Sequence, residues 1–190
     1  MEEMIEIQCQ IRIVRAGDWN LARIPKQASK GLPTRGMVMI TAKVNGMAFQ
    51  TPLEPDGYGS HWFRIDDELM AAGLLKTEDV VHLQFSLAAD WPEPDLPPEL
   101  SEALKHDQRL QGIWNNLTRK AHWEWFRWIR SVKSKATRSK RVAATLDKLN
   151  NGHKRPCCFN STACSVPELS KAGRLQVGPE NQHDTDASIG

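Results

Sequence analysis

Asn45-Gly46 lies between two runs in which apolar positions alternate, Val38, Ile40, Ala42 and Val44 before it and Met47, Phe49, Thr51 and Leu53 after it. A period of two places one set of side chains on a single face of a strand. The dipeptide supplies the two positive φ angles of a type I′ turn, whose twist suits the strands it joins. These features predict a hairpin of fixed register, because a slip of one residue would turn the apolar set outward. Pro52 cannot donate to a ladder, so the return strand is expected to be an edge strand or to be ending there.

The same alternation surrounds the hairpin. Ile5, Ile7, Cys9, Ile11 and Ile13 alternate with Glu6, Gln8, Gln10 and Arg12, which predicts a first strand with Cys9 directed inward as a small hydrophobe. After a turn at Ala16-Gly17-Asp18, a second extended piece runs from Trp19 to Ile24 and is stopped by Pro25, and the polar stretch from Lys26 to Arg35 reads as a surface loop. Glu54-Pro55-Asp56-Gly57 reads as a turn and Tyr58 to Ile65 as a further strand. Asp66 or Asp67 caps a short helix through Leu69 to Ala72 that Gly73 ends, and Val81, Leu83, Phe85 and Leu87 make the inward face of a last strand. Five or six short strands in this half predict a small barrel.

Four prolines in the eight residues from Trp91 to Pro98 favour an extended, semi-rigid connector. Pro98 suits a first helical position, Glu99 to Leu104 forms one short helix, and Asp107 caps another with Leu110, Ile113, Trp114 and Leu117 on its buried face. Between Leu117 and Leu149 two further helices are predicted. Thr118 caps the first, which buries Ala121, Trp125, Trp128, Ile129 and Val132. Thr137 is the expected cap of the second, where Val142, Leu146 and Leu149 share a face and Gly152 marks the stop. The expected fold class is α+β: a barrel in residues 1–90, a Pro-rich linker in 91–98, a helical module in 99–155, and a Cys-containing segment and tail in 156–190. From about Ser170 the tail holds few apolar side chains and is expected to be disordered.

Particular residues in each half resemble known families. Trp19 with Ile24-Pro25, Gly36, Val38, Asn45-Gly46, Phe49, Leu53 and Asp79-Val80 with Leu83 are similar to the domain of unknown function DUF1905, which usually carries Gly where this chain has Glu78. Pro98-Glu99-Leu100 with Ala103-Leu104, Leu117, Trp128-Ile129, Lys133, Thr137-Arg138 and Arg141-Val142 resemble the YdeI/OmpD-associated, or bacteriocin-protection, family of OmdA-like helical modules. There an acidic residue usually precedes the Thr-Arg pair, and Ala136 stands in its place here. Together the resemblances imply a small split β-barrel, similar in outline to those of AbrB-like proteins, followed by helices, and a role in stress or antimicrobial-peptide resistance.

Charge and chemistry narrow the functional classes. The net charge of +2 conceals a division: residues 117–155 hold 12 Lys and Arg against Glu124 and Asp147, whereas residues 1–116 hold 11 basic and 17 acidic residues. Arg119, Lys120, Arg127, Arg130, Lys133, Arg138 and Arg141 are therefore candidate polyanion contacts, and exposed aromatic rings beside them could stack on bases. The rival explanation, which is favoured, is that the tryptophans are core and the cations face water, a protein partner or the acidic barrel of the same chain. Attachment to a membrane surface ranks lower, since it needs Trp123 and Phe126 to be exposed. His153, Cys157, Cys158 and Cys164 have metal-ligand chemistry but poor spacing, so no metal or cofactor is expected and the thiols read as free and redox-responsive. An enzyme with a site at the barrel mouth would have to gather His61, His82, Ser60, Asp66, Asp67 and Asp79, which no motif holds together. No apolar run approaches the roughly 20 residues that span a bilayer, and the acidic start MEEMIEIQCQ lacks the features of a signal peptide, which points to the cytoplasm. The leading expectation is a non-catalytic cytoplasmic binding protein, with a nucleic-acid binder and a small enzyme as alternatives and the oligomeric state left open.

Overall fold

The computed structural model describes residues 6–177. They form two units, one made of residues 6–90, 161–164 and 169–177, the other of residues 91–160 and 165–168.

In the first unit six strands close into an antiparallel barrel. They are β1 (Ile7–Ala16), β2 (Trp19–Arg23), β3 (Val38–Val44), β4 (Met47–Pro55), β5 (His61–Ile65) and β6 (Val80–Leu87), in the spatial order β1-β2-β5-β4-β3-β6. The two longest strands change partner along their length. Ile7 to Arg12 pair with β6 and Ile13 to Ala16 with β2, while Met47 to Leu53 pair with β3 and only Glu54 and Pro55 with β5. This change of partner gives the expected split outline, and the ring of pairing is complete. Pro52 stands opposite Met39 in a part of β4 whose other side carries no ladder among the described residues, as its missing donor requires. The alternating side chains Ile11, Ile13, Val38, Ile40, Ala42, Val44, Leu53, Phe63, Ile65, Leu83 and Phe85 fill the barrel, with Cys9 partly buried against them. Ile5 lies outside the described residues.

The hairpin has the predicted turn, with Asn45 at φ 48 and Gly46 at φ 81. A less comfortable turn leads into β6. Glu78 takes φ 74, a left-handed conformation that glycine adopts without strain. It is held there from both sides: its N–H donates to the Ile13 carbonyl (2.7 Å), and the Asp79 carboxylate accepts from the Lys76 N–H (2.8 Å).

Local expectations in the first unit need correction. The stretch read as a surface loop contains a helical turn, α1 (Lys26–Lys30), with Ser29 completely buried. Residues before His61 are turn rather than strand, because the Asp56 carboxylate accepts from the N–H groups of both Tyr58 (2.7 Å) and Ser60 (2.9 Å). The tail is ordered beyond Ser170: β7 (Ser170–Lys171) and β8 (Arg174–Leu175) form a small hairpin, and Leu169, Leu175 and Val177 are buried. Composition undercounted these few apolar side chains because burial depends on where they fall. The hairpin meets the Asp56-Gly57 turn, where the Leu175 N–H donates to the Asp56 carbonyl (2.8 Å). The rest of the expected disordered tail, residues 178–190, lies outside the described residues. The short helix α2 (Asp67–Ala72) is as expected, with Asp66 accepting from the Leu69 N–H at 2.8 Å.

The second unit is helical: α3 (Pro98–His106), α4 (Gln108–Asn115), α5 (Arg119–Arg130) and α6 (Lys135–Asn150). Pro98 opens α3, the Asp107 carboxylate caps α4 through Arg109 N–H (2.9 Å) and Leu110 N–H (3.1 Å), and Thr118 caps α5 through Ala121 N–H (3.2 Å). The cap of α6 is Ser134, not Thr137; the Thr137 N–H donates to the Ser134 hydroxyl at 3.4 Å, so the helix starts most of a turn earlier than expected. Leu100, Leu104, Leu110, Trp114, Trp125, Ile129, Val142 and Leu149 make the core, with Trp128, Leu146, Ile113 and Leu117 packed against it.

Two variants test how the C-terminal hairpin is seated. Gly57 has φ 78, and a Cβ there would lie 2.1 Å from the Gly173 carbonyl oxygen, whereas a Cβ on Gly46 (φ 81) meets nothing within 4 Å. Gly57→Ala is expected to cost about 3 kcal/mol or more in urea denaturation, and Gly46→Ala about 1–2 kcal/mol for conformation alone. Equal losses would show that the close approach at Gly57 is not formed. Ending the chain after Glu168 removes the buried Leu169, Leu175 and Val177 and is expected to lower Tm by roughly 5 °C or more; an unchanged Tm would restore the expectation from composition.

Candidate functional site

The arginines proposed as polyanion contacts turn largely inward. Arg127 is 1% exposed; its Nε donates to the Ser165 hydroxyl (3.2 Å) and its guanidinium lies 5.3 Å from the Phe159 ring centre. Arg130 donates to the same hydroxyl through Nη2 (3.0 Å) and sits over Phe126 at 5.0 Å. Arg138 and Arg141 serve the end of α5. Arg138 Nη2 donates to the Val132 carbonyl (3.2 Å), while Arg141 Nη1 donates to the Trp128 carbonyl and to the Ser131 hydroxyl (2.6 Å) and stacks over Trp128 at 4.9 Å. The Trp128 carbonyl belongs to the last turn of α5, where carbonyls lack intrahelical donors and carry the negative dipole end, so the Arg141 guanidinium satisfies both hydrogen bonding and charge there, while Arg138 holds the Val132 carbonyl just past the helix. Burial lowers the pKa of Arg141 from its ordinary value. Arg119 is exposed but pairs with Glu93, and Lys120 and Lys133 are likewise exposed to water.

The aromatic side chains follow the same rule. Trp125 is buried against Trp128 edge-on, with ring centres 5.8 Å apart. Trp123 and Phe126, the pair a membrane surface would need, are half-buried and pack edge-on at 5.6 Å, and Trp123 Nε1 donates to the Pro92 carbonyl (2.8 Å).

A second cluster, which the charge pattern did not reveal, joins the Pro-rich segment to α5. His122 is 1% exposed and stacks on Trp114 with ring centres 4.2 Å apart. Its Nε2 faces the Trp114 carbonyl (2.8 Å), which can only accept, so Nε2 carries the proton. Nδ1 lies 2.8 Å from the Glu93 carboxylate, and Arg119 Nη1 reaches both that carboxylate and Nδ1 (3.4 Å). Trp114 Nε1 also donates to Glu93, at 3.2 Å. Burial lowers the His122 pKa; the bond to the Trp114 carbonyl opposes this and the Arg119 charge adds to it.

In the barrel the buried polar groups hold loops rather than an open site. Asp56, completely buried, pairs with Arg23 at 2.7 Å and organises its own turn. His61 lies between α1 and the loop that follows it: Nε2 donates to the Gly36 carbonyl (2.9 Å) and Nδ1 accepts from the Ser29 hydroxyl (2.7 Å). Arg35 closes the group with bonds to the Ser29 hydroxyl (3.2 Å), the Ser29 carbonyl (2.6 Å) and the Leu32 carbonyl (3.2 Å). A hydroxyl on an imidazole is nucleophile-and-base chemistry, yet Ser29 and His61 are both wholly buried. The remaining candidates for a barrel-mouth site are not gathered with His61. Ser60 donates to the Ile24 carbonyl (2.7 Å), Asp66 caps α2 and Asp79 holds its turn. His82 lines an open depression of about 410 Å³ with Gln8, Lys43, Asn45, Gly46 and Gln84. Sequence reasoning missed Ser29, Arg35 and Arg23; the one available signal was the turn read at Glu54-Pro55-Asp56-Gly57, of which Glu54 and Pro55 belong to β4 and only Asp56-Gly57 leave the strand.

The thiols are dispersed. Cys164 is buried in the first unit, and Cys157, Cys158 and His153 are exposed in the second. Among the described residues no three His, Cys, Asp or Glu side chains converge as a metal would require. No helix among them is long and apolar enough to cross a membrane.

The two units correspond to two sequence families. Residues 8–85 match the family described as Domain of unknown function (DUF1905), and residues 93–152 match OmdA, described as Bacteriocin-protection, YdeI or OmpD-Associated. The chain carries a DUF1905 domain followed by an OmdA domain. No curated protein matches it. The DUF1905 match contains most of the barrel, and the OmdA match starts at Glu93, the partner of His122, and runs through all four helices. Thr137-Arg138 and Arg141-Val142, two of the residue pairs that carry the OmdA resemblance, place the guanidinium groups that close α5.

The His122 cluster of the OmdA domain predicts a pH dependence. Its folded pKa lies below the ordinary 6.5, so as pH falls past about 6.5 the unfolded chain gains a proton that the folded chain does not, and stability declines. Arg119→Gln removes the neighbouring charge and is expected to raise the His122 pKa in an NMR titration of the imidazole. An unchanged midpoint would show that the Arg119 charge does not act on the ring.

Proposed function

We propose that the chain is a non-catalytic binding protein that protects cells against bacteriocins or related antimicrobial peptides, acting in the cytoplasm through a protein partner bound by its OmdA domain. The observation that carries this reading is the match of residues 93–152 to the bacteriocin-protection family. Geometry supports a protein partner over a polyanion. Arg119, Arg127, Arg130, Arg138 and Arg141 are engaged with side chains and carbonyls, and a guanidinium that already donates to these groups has fewer N–H groups to offer a phosphate. The burial of Ser29 and His61 supports a role without covalent chemistry in the barrel.

The test is survival of a bacteriocin-sensitive bacterium expressing the full chain, challenged with a panel of bacteriocins, against the same strain with an empty vector. Higher survival is expected for at least one member of the panel; identical killing across it would overturn the protective role. Titration with mixed-sequence DNA and RNA separates the rival reading. Binding is expected to be weak at physiological salt, and tight binding that weakens by several log-log slope units as salt rises would make nucleic acid the partner.

A further inference from the structure

Lys148 lies in the last turn of α6, and its Nζ is 2.9 Å from the Sγ of Cys157 in the segment that follows the helix. Both groups belong to the OmdA-containing unit. We propose that Cys157 is an oxidant-responsive modification site, a thiolate kept by Lys148 that reacts with hydroperoxides and is then capped by a low-molecular-weight thiol.

The geometry selects this thiol from the four. Cys9 is half-buried and burial pushes its pKa up to about 11, which makes it inert at neutral pH. Cys164 is buried, 4% exposed, where an oxidant has little access. Cys157 is exposed and carries an ammonium on its sulfur. A cation in hydrogen-bond contact favours the thiolate, and the direction of the Cys157 pKa, lowered chiefly by the bond to Lys148, agrees. Lys148 in turn is held charged by that sulfur, which raises its pKa, and it stands at the negative end of the α6 dipole. Cys158 is exposed beside it at φ 58, but adjacent residues cannot meet the usual geometry of a disulfide. A trans peptide sets neighbouring Cα atoms about 3.8 Å apart, below the roughly 4.4 Å at which disulfides begin. With Cys158 disfavoured by geometry, Cys9 half-buried and Cys164 buried, the disulfide partner assigned to Cys157 is an external thiol.

The chemistry balances in two steps. The Cys157 thiolate attacks the terminal oxygen of a hydroperoxide; an S–O bond forms, the O–O bond breaks, sulfur is oxidised by two electrons, and the departing alkoxide or hydroxide takes a proton from Lys148 or water. The resulting sulfenic acid then meets a small thiol. An S–S bond replaces the S–O bond, and hydroxide leaves with the thiol proton as water.

The test uses the full reduced chain with hydrogen peroxide and dimedone, or with hydrogen peroxide and glutathione, followed by peptide mass spectrometry, together with iodoacetamide alkylation rates across pH. Dimedone and glutathione adducts are expected predominantly on Cys157, with its alkylation midpoint below that of Cys158. Lys148→Met is expected to raise that midpoint and slow the peroxide reaction several-fold, whereas Lys148→Arg keeps both near the original values. Lys154→Met, which alters a nearby exposed cation, should leave them unchanged. Adducts shared equally by Cys157 and Cys158, or a midpoint that ignores Lys148→Met in a variant with unchanged circular dichroism, would overturn the assignment. So would a Cys157-Cys158 disulfide as the main oxidised product.

Discussion

A sheet of six short strands leaves two edges of unpaired N–H and C=O groups, and pairing β6 back onto β1 removes them. That closure is helped by strands long enough to pass from one neighbour to the next, and β1 with 10 residues and β4 with 9 pair with different neighbours along their length. Other features of the barrel follow from it. The turn into β6 must deliver Val80 opposite Arg12, and the chain accepts a left-handed Glu78 to do so. Loops at the ring are then fixed by buried polar groups: His61 and Ser29 anchor α1, and Asp56 orders the turn before β5.

The helical unit depends on a different economy of charge. Helices joined by short connections expose carbonyls at their ends, and α5 ends where Arg138 and Arg141 of α6 can reach back to it. Glu93 does the converse at the start of α5, accepting from Trp114 and Arg119 beside His122. Charged side chains in this unit thus work as fasteners for backbone and ring groups. Their hydrogen bonds are the stronger kind, since one partner in each carries full charge.

These arrangements explain what could be read from the chain alone. Alternation showed the strands because side-chain direction reverses at every residue, and Thr118, Asp107 and Asp66 were legible as caps because a cap is a bond across three residues. Ser134 and Thr137 are three residues apart and both suit a cap, so only the backbone conformation distinguishes them. Ser29 was hidden because the bonds that bury it come from His61, 32 residues away, and from Arg35. The hairpin at Ser170–Leu175 was hidden for a related reason: three well-placed apolar side chains and a bond to Asp56 order it, and an average over composition registers neither.

The arginines show how far a sequence count can stand from a surface. Residues 117–155 hold 12 cationic side chains, but a cation contributes to recognition only where its donors face the partner. In α5 and α6 the face was read from periodicity, which tells which residues share a stripe and says nothing of how far a long side chain folds back. Arginine has five donors in a planar fork and a weakly hydrated head, so it can lie on a ring and bond a carbonyl at once, as Arg141 does on Trp128. Lysine, with its compact and strongly hydrated ammonium, tends to remain in water, and Lys120 and Lys133 do. The same distinction singles out Lys148, a lysine whose ammonium is turned onto a sulfur. Within this basic stretch Arg127, Arg130, Arg138 and Arg141 serve the fold, while Lys120 and Lys133 stay in water.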